Sequence, residues 1–277
     1  MPKYDFKFGQ FWLSEFGAVS AEEPSMEIAQ RDVTFISIPG KDGKDCIDNK
    51  RYDNVEFKRK IAFVGNRDFN VREKEHSLIN SYAYLQGYQD FEDVHHPGFI
   101  TKAALKNFNA VQRNLRTMHT AELSFTRLPF WYLKTALEEI PLDINKLTDG
   151  VGVELHNPLP TSAKPILKFD VNFTGGAVSG GAETTTCRIA FAIAANYNGV
   201  YEERTFNKPS IRITATHHFV VIDIENQRAS VQDANGNIYS FIDMPIPDPV
   251  GPGKVNVRIT TLSKTNALSI IPRWRCL

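Results

Sequence analysis

What most constrains the fold of this chain is an alternation of apolar and polar side chains with a period of two, recurring along both halves. Val55, Phe57, Arg59, Ile61 and Phe63 alternate with Glu56, Lys58 and Lys60, and Leu123 and Phe125 alternate with Glu122, Ser124 and Thr126. Successive side chains on a strand point to opposite faces, so this period predicts half-buried strands. The second half repeats the pattern with Leu167, Phe169, Val171 and Phe173, with Cys187, Ile189, Phe191 and Ile193, and with Val255, Val257 and Ile259. Tyr4–Phe8, Phe11–Phe16 and Val33–Ile38 are short, aromatic or β-branched, and read as further strands. Asn198-Gly199 and Asn235-Gly236 are hairpin signals.

Only one stretch carries a helical period. Leu78, Tyr82 and Leu85 follow i, i+4, i+7, and Val71 and Ile79 widen the stripe. Asn70 reads as the N-cap with Glu73 three residues on, and Gly87 as the stop. The helix then spans about Val71 to Leu85 and packs on a sheet, with Arg72, Lys74 and Glu75 on its wet side. The fold class is therefore mainly β with one α-helix.

Length and punctuation divide the chain. Its 277 residues suffice for two domains of ordinary size. Pro129, Pro141, Pro158, Pro160 and Pro165 interrupt any long element, which sets a boundary near residue 135. The expected domains are 1–135 and 136–277, the second an antiparallel sandwich of many short strands. Gly175–Gly181 reads as a flexible loop without the Lys-Ser/Thr of a phosphate loop. Pro245–Gly253 reads as a stiff connector, and no internal repeat is evident.

Charge and cysteine usage narrow the partners. Lys plus Arg and Asp plus Glu number 32 each, so the basic excess of a dedicated nucleic-acid binder is missing, while a pore that lets DNA pass without gripping it stays compatible. Cys46, Cys187 and Cys276 are odd in number and far apart, which is neither a disulfide framework nor a zinc spacing. The start has no apolar core of a signal peptide, and no apolar run is long enough to span a bilayer. The reducing cytosol is the expected place of synthesis, and Asn172-Phe173-Thr174 is then strand sequence rather than a glycan acceptor.

Catalytic chemistry is hard to find. His95-His96 and His217-His218 are neighbours, which on a strand point apart and seldom share a metal. Cys46 follows a Gly-rich turn with no local histidine base, and reads as a small half-buried residue. Glu22-Glu23, Glu138-Glu139 and Glu202-Glu203 read as solvated pairs, and no Gly-x-Ser-x-Gly elbow exists. Trp12, Trp131 and Trp274 could stack sugars or fill cores and subunit contacts; their apolar surroundings favour the second. The expectation is no enzyme, no cofactor and no metal.

Two stretches instead look architectural. Pro39 can fix φ at the second position of a turn and Gly40 can take positive φ at the third, followed by a second reversal at Asp42-Gly43. Pro39, Gly40, Asp42, Gly43 and Tyr52 shape either a contact between subunits or an internal turn. The chain closes on Pro272-Arg273-Trp274-Arg275, an anchor expected to pack Trp274 and to leave two guanidinium groups to pair.

The ordered set is more specific than its parts: Phe11–Gly17, Arg31-Asp32-Val33, Ile38–Gly43, Tyr52–Val55, the helix, Leu123-Ser124-Phe125, Pro129–Tyr132, Asn157-Pro158, Lys164-Pro165-Ile166 and Ile271–Arg275. It resembles the distal tail (Dit) protein family of phages with long non-contractile tails and of prophages in Gram-positive bacteria, over nearly the whole chain; Pro245–Gly253 departs from that pattern. The resemblance implies a tail-tube-like N-terminal β-barrel domain with one helix and a C-terminal galectin-like sandwich. It also implies a homo-oligomeric ring of six copies at the virion tail tip. Such a ring joins the tail tube protein to the tail-tip hub protein and to receptor-binding or accessory baseplate proteins, and leaves a channel for DNA. The alternative is a carbohydrate-binding module of a phage adhesion device.

Overall fold

The computed structural model describes residues 5–23, 25, 27–65, 68–148, 151–173, 177–179, 182–262 and 265–277. The chain divides into two compact units, residues 1–132 with Leu277, and residues 133–276. Among the described residues it is mainly β, with one helix longer than two turns.

The first unit holds β1 (Phe6–Phe8), β2 (Phe11–Trp12), β3 (Ala18–Ser20), β4 (Arg31–Ser37), β5 (Lys44–Tyr52), β6 (Val55–Val64), α1 (Asp68–Tyr84), β7 (Gln89–Asp93), β8 (Phe99–Phe108), β9 (Gln112–Leu115) and β10 (Met118–Arg127). β11 (Trp131–Leu133) carries the chain from the first unit into the second. The main sheet runs β2-β1-β7-β8-β10-β6-β3, with β9 also on β10. β6 and β10 pair antiparallel over their full length, from Val55↔Arg127 to Val64↔Met118.

The odd positions of β6 face a core of aromatic rings, as the alternation predicts. Phe57 stacks on Phe125 at 5.2 Å, and Phe8 meets Phe125 and Tyr82 edge-on at 5.2 and 5.3 Å. Arg59 shares that face and is buried, its charge met by Asp93 at 2.8 Å with its guanidinium over Phe57.

α1 differs from expectation in two ways. It begins at Asp68, so Asn70 lies inside the first turn rather than capping it. Val71, Leu78 and Tyr82 are buried as the stripe requires, but so is Glu75, expected on the wet side. Its carboxylate lies 2.9 Å from Nδ1 of buried His119 on β10 and 3.6 Å from Arg113. A carboxylate is tolerated on a buried helix face when a partner meets it there. Phe11–Phe16 is not one strand, since Leu13–Phe16 turns as a 3-10 helix closed by Gly17 in the left-handed region.

The second unit contains β12 (Ile140–Leu142), α2 (Ile144–Thr148), β13 (Val153–Asn157), β14 (Ile166–Val171), β15 (Ala177–Ser179), β16 (Ala182–Tyr197), β17 (Val200–Thr214), β18 (Phe219–Asp223), β19 (Arg228–Gln232), β20 (Ile238–Ile242), β21 (Gly253–Leu262), β22 (Thr265–Ile271) and β23 (Arg275–Cys276). One sheet runs β12-β22-β14-β18-β19-β20, the other β13-β21-β16-β15 with β17 on β16. Leu167, Phe169, Val220 and Leu268 of the first sheet share one core with Ile189, Phe191, Ile193, Val255 and Val257 of the second. This is a β-sandwich whose inner faces are the alternating apolar positions. Asn198 and Gly199 both take positive φ, the turn that joins β16 to β17. Ala177–Ser179, expected within a flexible loop, forms a strand against β16; Gly175, Gly176, Gly180 and Gly181 lie outside the described residues, as does Thr174 of the Asn172 triplet.

Candidate functional site

β4 and β5 form a two-stranded sheet of their own, an arm closed by the turn between Ser37 and Lys44. The Lys41 amide donates to the Ile38 carbonyl at 3.1 Å, and Gly40 and Gly43 take φ of 82° and 86°. Pro39 at the second position and a left-handed Gly40 at the third make a tight reversal. Nothing lies within 4 Å of where a side chain at Gly40 or Gly43 would begin, so conformation and not space selects glycine there. Pro39, Gly40, Asp42 and Gly43 are thus brought together at the arm's tip, all exposed. Tyr52 is not with them. It sits half-buried at the arm's base, edge-on to Phe130 at 5.4 Å.

The arm's side chains are unusual for an isolated ribbon. Val33 and Phe35 lie in register with Asp48 and Cys46, while Thr34 and Ile36 lie in register with Ile47 and Asp45, so both faces carry large apolar groups. Phe35 is 58% exposed, Ile36 44% and Ile47 48%. Cys46, expected to be half-buried, is exposed; among the described residues no third strand joins the arm. Two ion pairs tie the strands together, Arg31 with Asp48 and Arg51 with Asp32, and Lys41 of the turn pairs with Asp45 of β5. The Asp32 carboxyl is held below the usual carboxylate range, first by the Asn49 amide at 2.9 Å and then by the Arg51 guanidinium. A hairpin without a covered face is marginal in water. These cross-ties keep the arm's shape while its apolar groups stay outside.

The exposed Phe35, Ile36 and Ile47 were missed by sequence reasoning. The available signal was apolar residues at both parities, Phe35 next to Ile36 and Ile36 two before Ile38, which no single buried face explains.

The C-terminal anchor is the opposite case. Pro272, Trp274 and Arg275 are buried, and Trp274 belongs to the second unit's core. The Leu133 amide donates to the Trp274 carbonyl at 2.9 Å, and the Arg273 amide to that of Ala136 at 2.8 Å. Arg273 takes a left-handed φ of 54°; its guanidinium meets Glu225 at 2.7 Å and Asp223 at 3.7 Å. Arg275 donates to the Ser162 carbonyl at 2.8 Å and lies 3.6 Å from the other oxygen of Glu225. The pattern is that of an internal clamp, with Glu225 held between two arginines.

No family model and no curated protein sequence matches the chain. Among solved structures, it is similar to the Dit protein of phage SPP1, with a TM-score of 0.59 and 10% sequence identity over 96% of this chain and 97% of that one. That protein is presented as a paradigm of the hub adsorption apparatus in phages that infect Gram-positive bacteria. The chain has the Dit fold. A chain of the phage p2 baseplate, in its activated conformation with Sr, is 8% identical with a TM-score of 0.49, covering 96% of this chain and 97% of that one.

The remaining residues that could have carried chemistry on this Dit fold are otherwise engaged. His96 stacks flat on Trp131 at 4.5 Å, and burial pushes its imidazole below its ordinary pKa. His217 stacks on Tyr239 at 5.2 Å, and His218 lies 3.5 Å from Asp170. Among the described residues no three His, Cys, Asp or Glu side chains converge as a metal site. Glu202 and Glu203 pair with Arg204 and Arg258 instead of facing one another. No helix among the described residues is long and apolar enough to cross a membrane, which leaves strand-built spans unaddressed.

Proposed function

We propose that this chain is a distal tail protein: a structural, non-enzymatic component that closes into a ring of six copies. The ring connects the tail tube to the tail-tip and baseplate proteins and lets DNA pass without specific binding. The observation that carries the reading is the Dit fold along almost the whole of both chains. Two local features support it. The arm exposes apolar groups on both faces, as a surface kept for a partner does. The even balance of 32 cationic and 32 anionic side chains suits a channel that passes a polyanion without gripping it.

In this reading the arm, with its tip at Pro39–Gly43, makes the contact between copies, and Pro272–Arg275 is an anchor inside each copy. Location at the virion tail tip, synthesis in the host cytoplasm, and a tube protein and a tip hub protein as partners follow from the same reading. Light scattering of the purified protein, with negative-stain images of the same peak, tests it. A closed ring of about six subunits is expected; a monomer at every concentration, with no ring on adding tail partners, refutes it.

One observation favours a second reading, carbohydrate binding by the second unit. Phe241 is 66% exposed on β20, and Tyr239 and Phe219 are braced by His217 and His218. Exposed rings beside polar groups are the means by which proteins stack on sugars. Binding of the full chain to a glycan array would support this reading, and an empty array removes it.

A further inference from the structure

β20 closes one side of the second unit's six-stranded sheet and pairs, among the described residues, with β19 alone. Its outer edge therefore offers backbone N–H and C=O groups, which natural proteins blunt with short strands, charges or proline. The other edges of the second unit follow that rule. β12 is three residues long and holds Pro141, and β15 is three residues long. β13 carries Glu154, and β17 carries Pro209 with Glu202, Arg204 and Lys208. β20 is Ile238-Tyr239-Ser240-Phe241-Ile242, with no charge, proline or glycine. Phe241 is 66% exposed, Tyr239 42% and Ile238 41%.

Those five residues read alike from either end: Ile, aromatic ring, Ser, aromatic ring, Ile. An antiparallel partner runs in the opposite direction, so a strand with this symmetry is its own complement. We infer that β20 of one copy pairs antiparallel with β20 of a second copy, around a two-fold axis through Ser240. In that register Ile238 lies opposite Ile242 and Tyr239 opposite Phe241, and each pair is made twice. Opposed positions share parity, so residues that turn their N–H and C=O outward meet residues that do the same, and the ladder closes. A shift by one residue opposes outward groups to inward ones and turns the faces over. A shift by two sets isoleucine against serine. The flanking residues Asn237 and Asp243 fall opposite one another, so no like charges meet across the axis.

The symmetry commits the occupant to a second copy. A strand from an unrelated protein would need only alternating apolar groups, and nothing in such a partner requires β20 to read alike from both ends. The contact is isologous, the same patch on both copies, so it closes at two and propagates no further. It uses a surface of the second unit and does not rest on the ring reading.

Size sets how such a contact behaves. Five residues span roughly 17 Å, and a sheet edge about 10 Å thick then covers roughly 170 Å² per copy, well under the ~800 Å² of a stable interface. A lone pair of copies is therefore held weakly and exchanges. The contact strengthens wherever copies are already held side by side, because pairing then becomes intramolecular. A weak contact calls for a trap rather than a mass.

The axis itself supplies the trap. Residues directly opposite one another on antiparallel strands have Cα atoms about 4.5–5.5 Å apart, within the range a disulfide bridges. Ser240→Cys is introduced with Cys46→Ser and Cys276→Ser, which leaves only the buried Cys187. The purified full-length protein is oxidised with diamide and resolved on a denaturing, non-reducing gel, where non-covalent assemblies fall apart. The expected product is a single disulfide-linked dimer with no higher ladder. It should form at least about tenfold faster than from Tyr201→Cys, an exposed position on the charged edge β17. Adding Phe241→Lys removes both ring pairs and sets two like charges beside the axis, and should slow the trap about tenfold or more while the melting temperature holds. Equal rates from Ser240→Cys and Tyr201→Cys overturn the inference, as does a Phe241→Lys protein that melts like its parent and links as fast. Register is checked by mixing Tyr239→Cys and Phe241→Cys proteins made in the same background. The mixture should link faster than either protein alone, and no gain on mixing overturns the two-fold pairing.

Discussion

The arm and the C-terminal anchor are built from the same materials, a proline, arginines, aromatic and aliphatic side chains, and they use them in opposite ways. In the anchor, Trp274 and Arg275 are inside and every charge is met by groups of the same unit. In the arm, the ion pairs lie between its own two strands and the apolar side chains are left outside. What separates them is whether a third element is present to cover them. Pro-Arg-Trp-Arg runs on from β22, a strand inside a six-stranded sheet, so its side chains meet an existing core. The arm is a ribbon of two strands with no layer on either face. The anchor should therefore govern the stability of a single copy, and the arm the association of copies.

The sharpest way to break that contrast is Trp274→Ala. Removing a buried indole costs about 3–5 kcal/mol, so calorimetry should show the second unit melting well below its wild-type temperature. Cys187 offers an independent readout. Burial pushes its thiol up to about 11, so at neutral pH it is protonated as well as covered, and it reacts only when the unit opens. Labelling of Cys187 should be at least about 100-fold faster in the variant, since each 1.4 kcal/mol is a factor of ten. An unchanged rate and melting temperature would mean that the anchor does not hold the second unit together.

Arg275→Ala should have a smaller effect. It removes the donor to the Ser162 carbonyl and one of the two arginines beside Glu225, a loss of about 1–3 kcal/mol for an imperfectly compensated buried group. The urea midpoint should fall with the slope unchanged. Glu225→Gln should cost less than Arg275→Ala, because Glu225 is 30% exposed and water replaces part of what it supplied.

Gly40→Ala carries the comparison to the arm. With φ at 82° and open space around the site, the cost is backbone strain alone, about 1–2 kcal/mol. It falls on the arm rather than on either core. The global melting temperature should hold within error while amide exchange in Ile36–Asp45 accelerates and rings form at higher concentration. A variant that assembles like wild type would show that the reversal need not be rigid.

How much of this could be read from the sequence depended on how local the deciding contact was. The strands of both cores were legible, since alternation is a local signal and Leu167, Phe169, Phe191 and Val257 do point inward. An indole and two guanidinium groups in four residues require partners wherever they lie, and here Trp274 lies in the second unit's core with Arg273 and Arg275 beside Glu225. Glu75 was not legible: its burial depends on His119, 44 positions away, and nothing near Glu75 announces that. The arm was half legible. Its turn could be derived from Pro39 and Gly40, but Val33–Ile38 read as one more short strand, with nothing to set it apart from the others. Whether a β-rich segment joins a sheet or stands alone depends on which edges the rest of the chain leaves open, a property of topology and not of the segment.

The smallest expected effect on a single copy is the most informative. Phe35→Ser removes a ring that is 58% exposed and leaves the residues of the cross-strand ion pairs in place. Surface changes of this kind shift stability by no more than about 0.5 kcal/mol, so calorimetry and urea unfolding should match the wild type. The concentration at which rings form should nevertheless rise by about tenfold or more, because a phenyl group lost from a contact made once per subunit removes on the order of 1.5–3 kcal/mol of burial from each. Light scattering over a dilution series measures it. If Phe35→Ser destabilised the monomer as Arg275→Ala does, the arm would be part of a core after all, and the division of labour between arm and anchor would collapse.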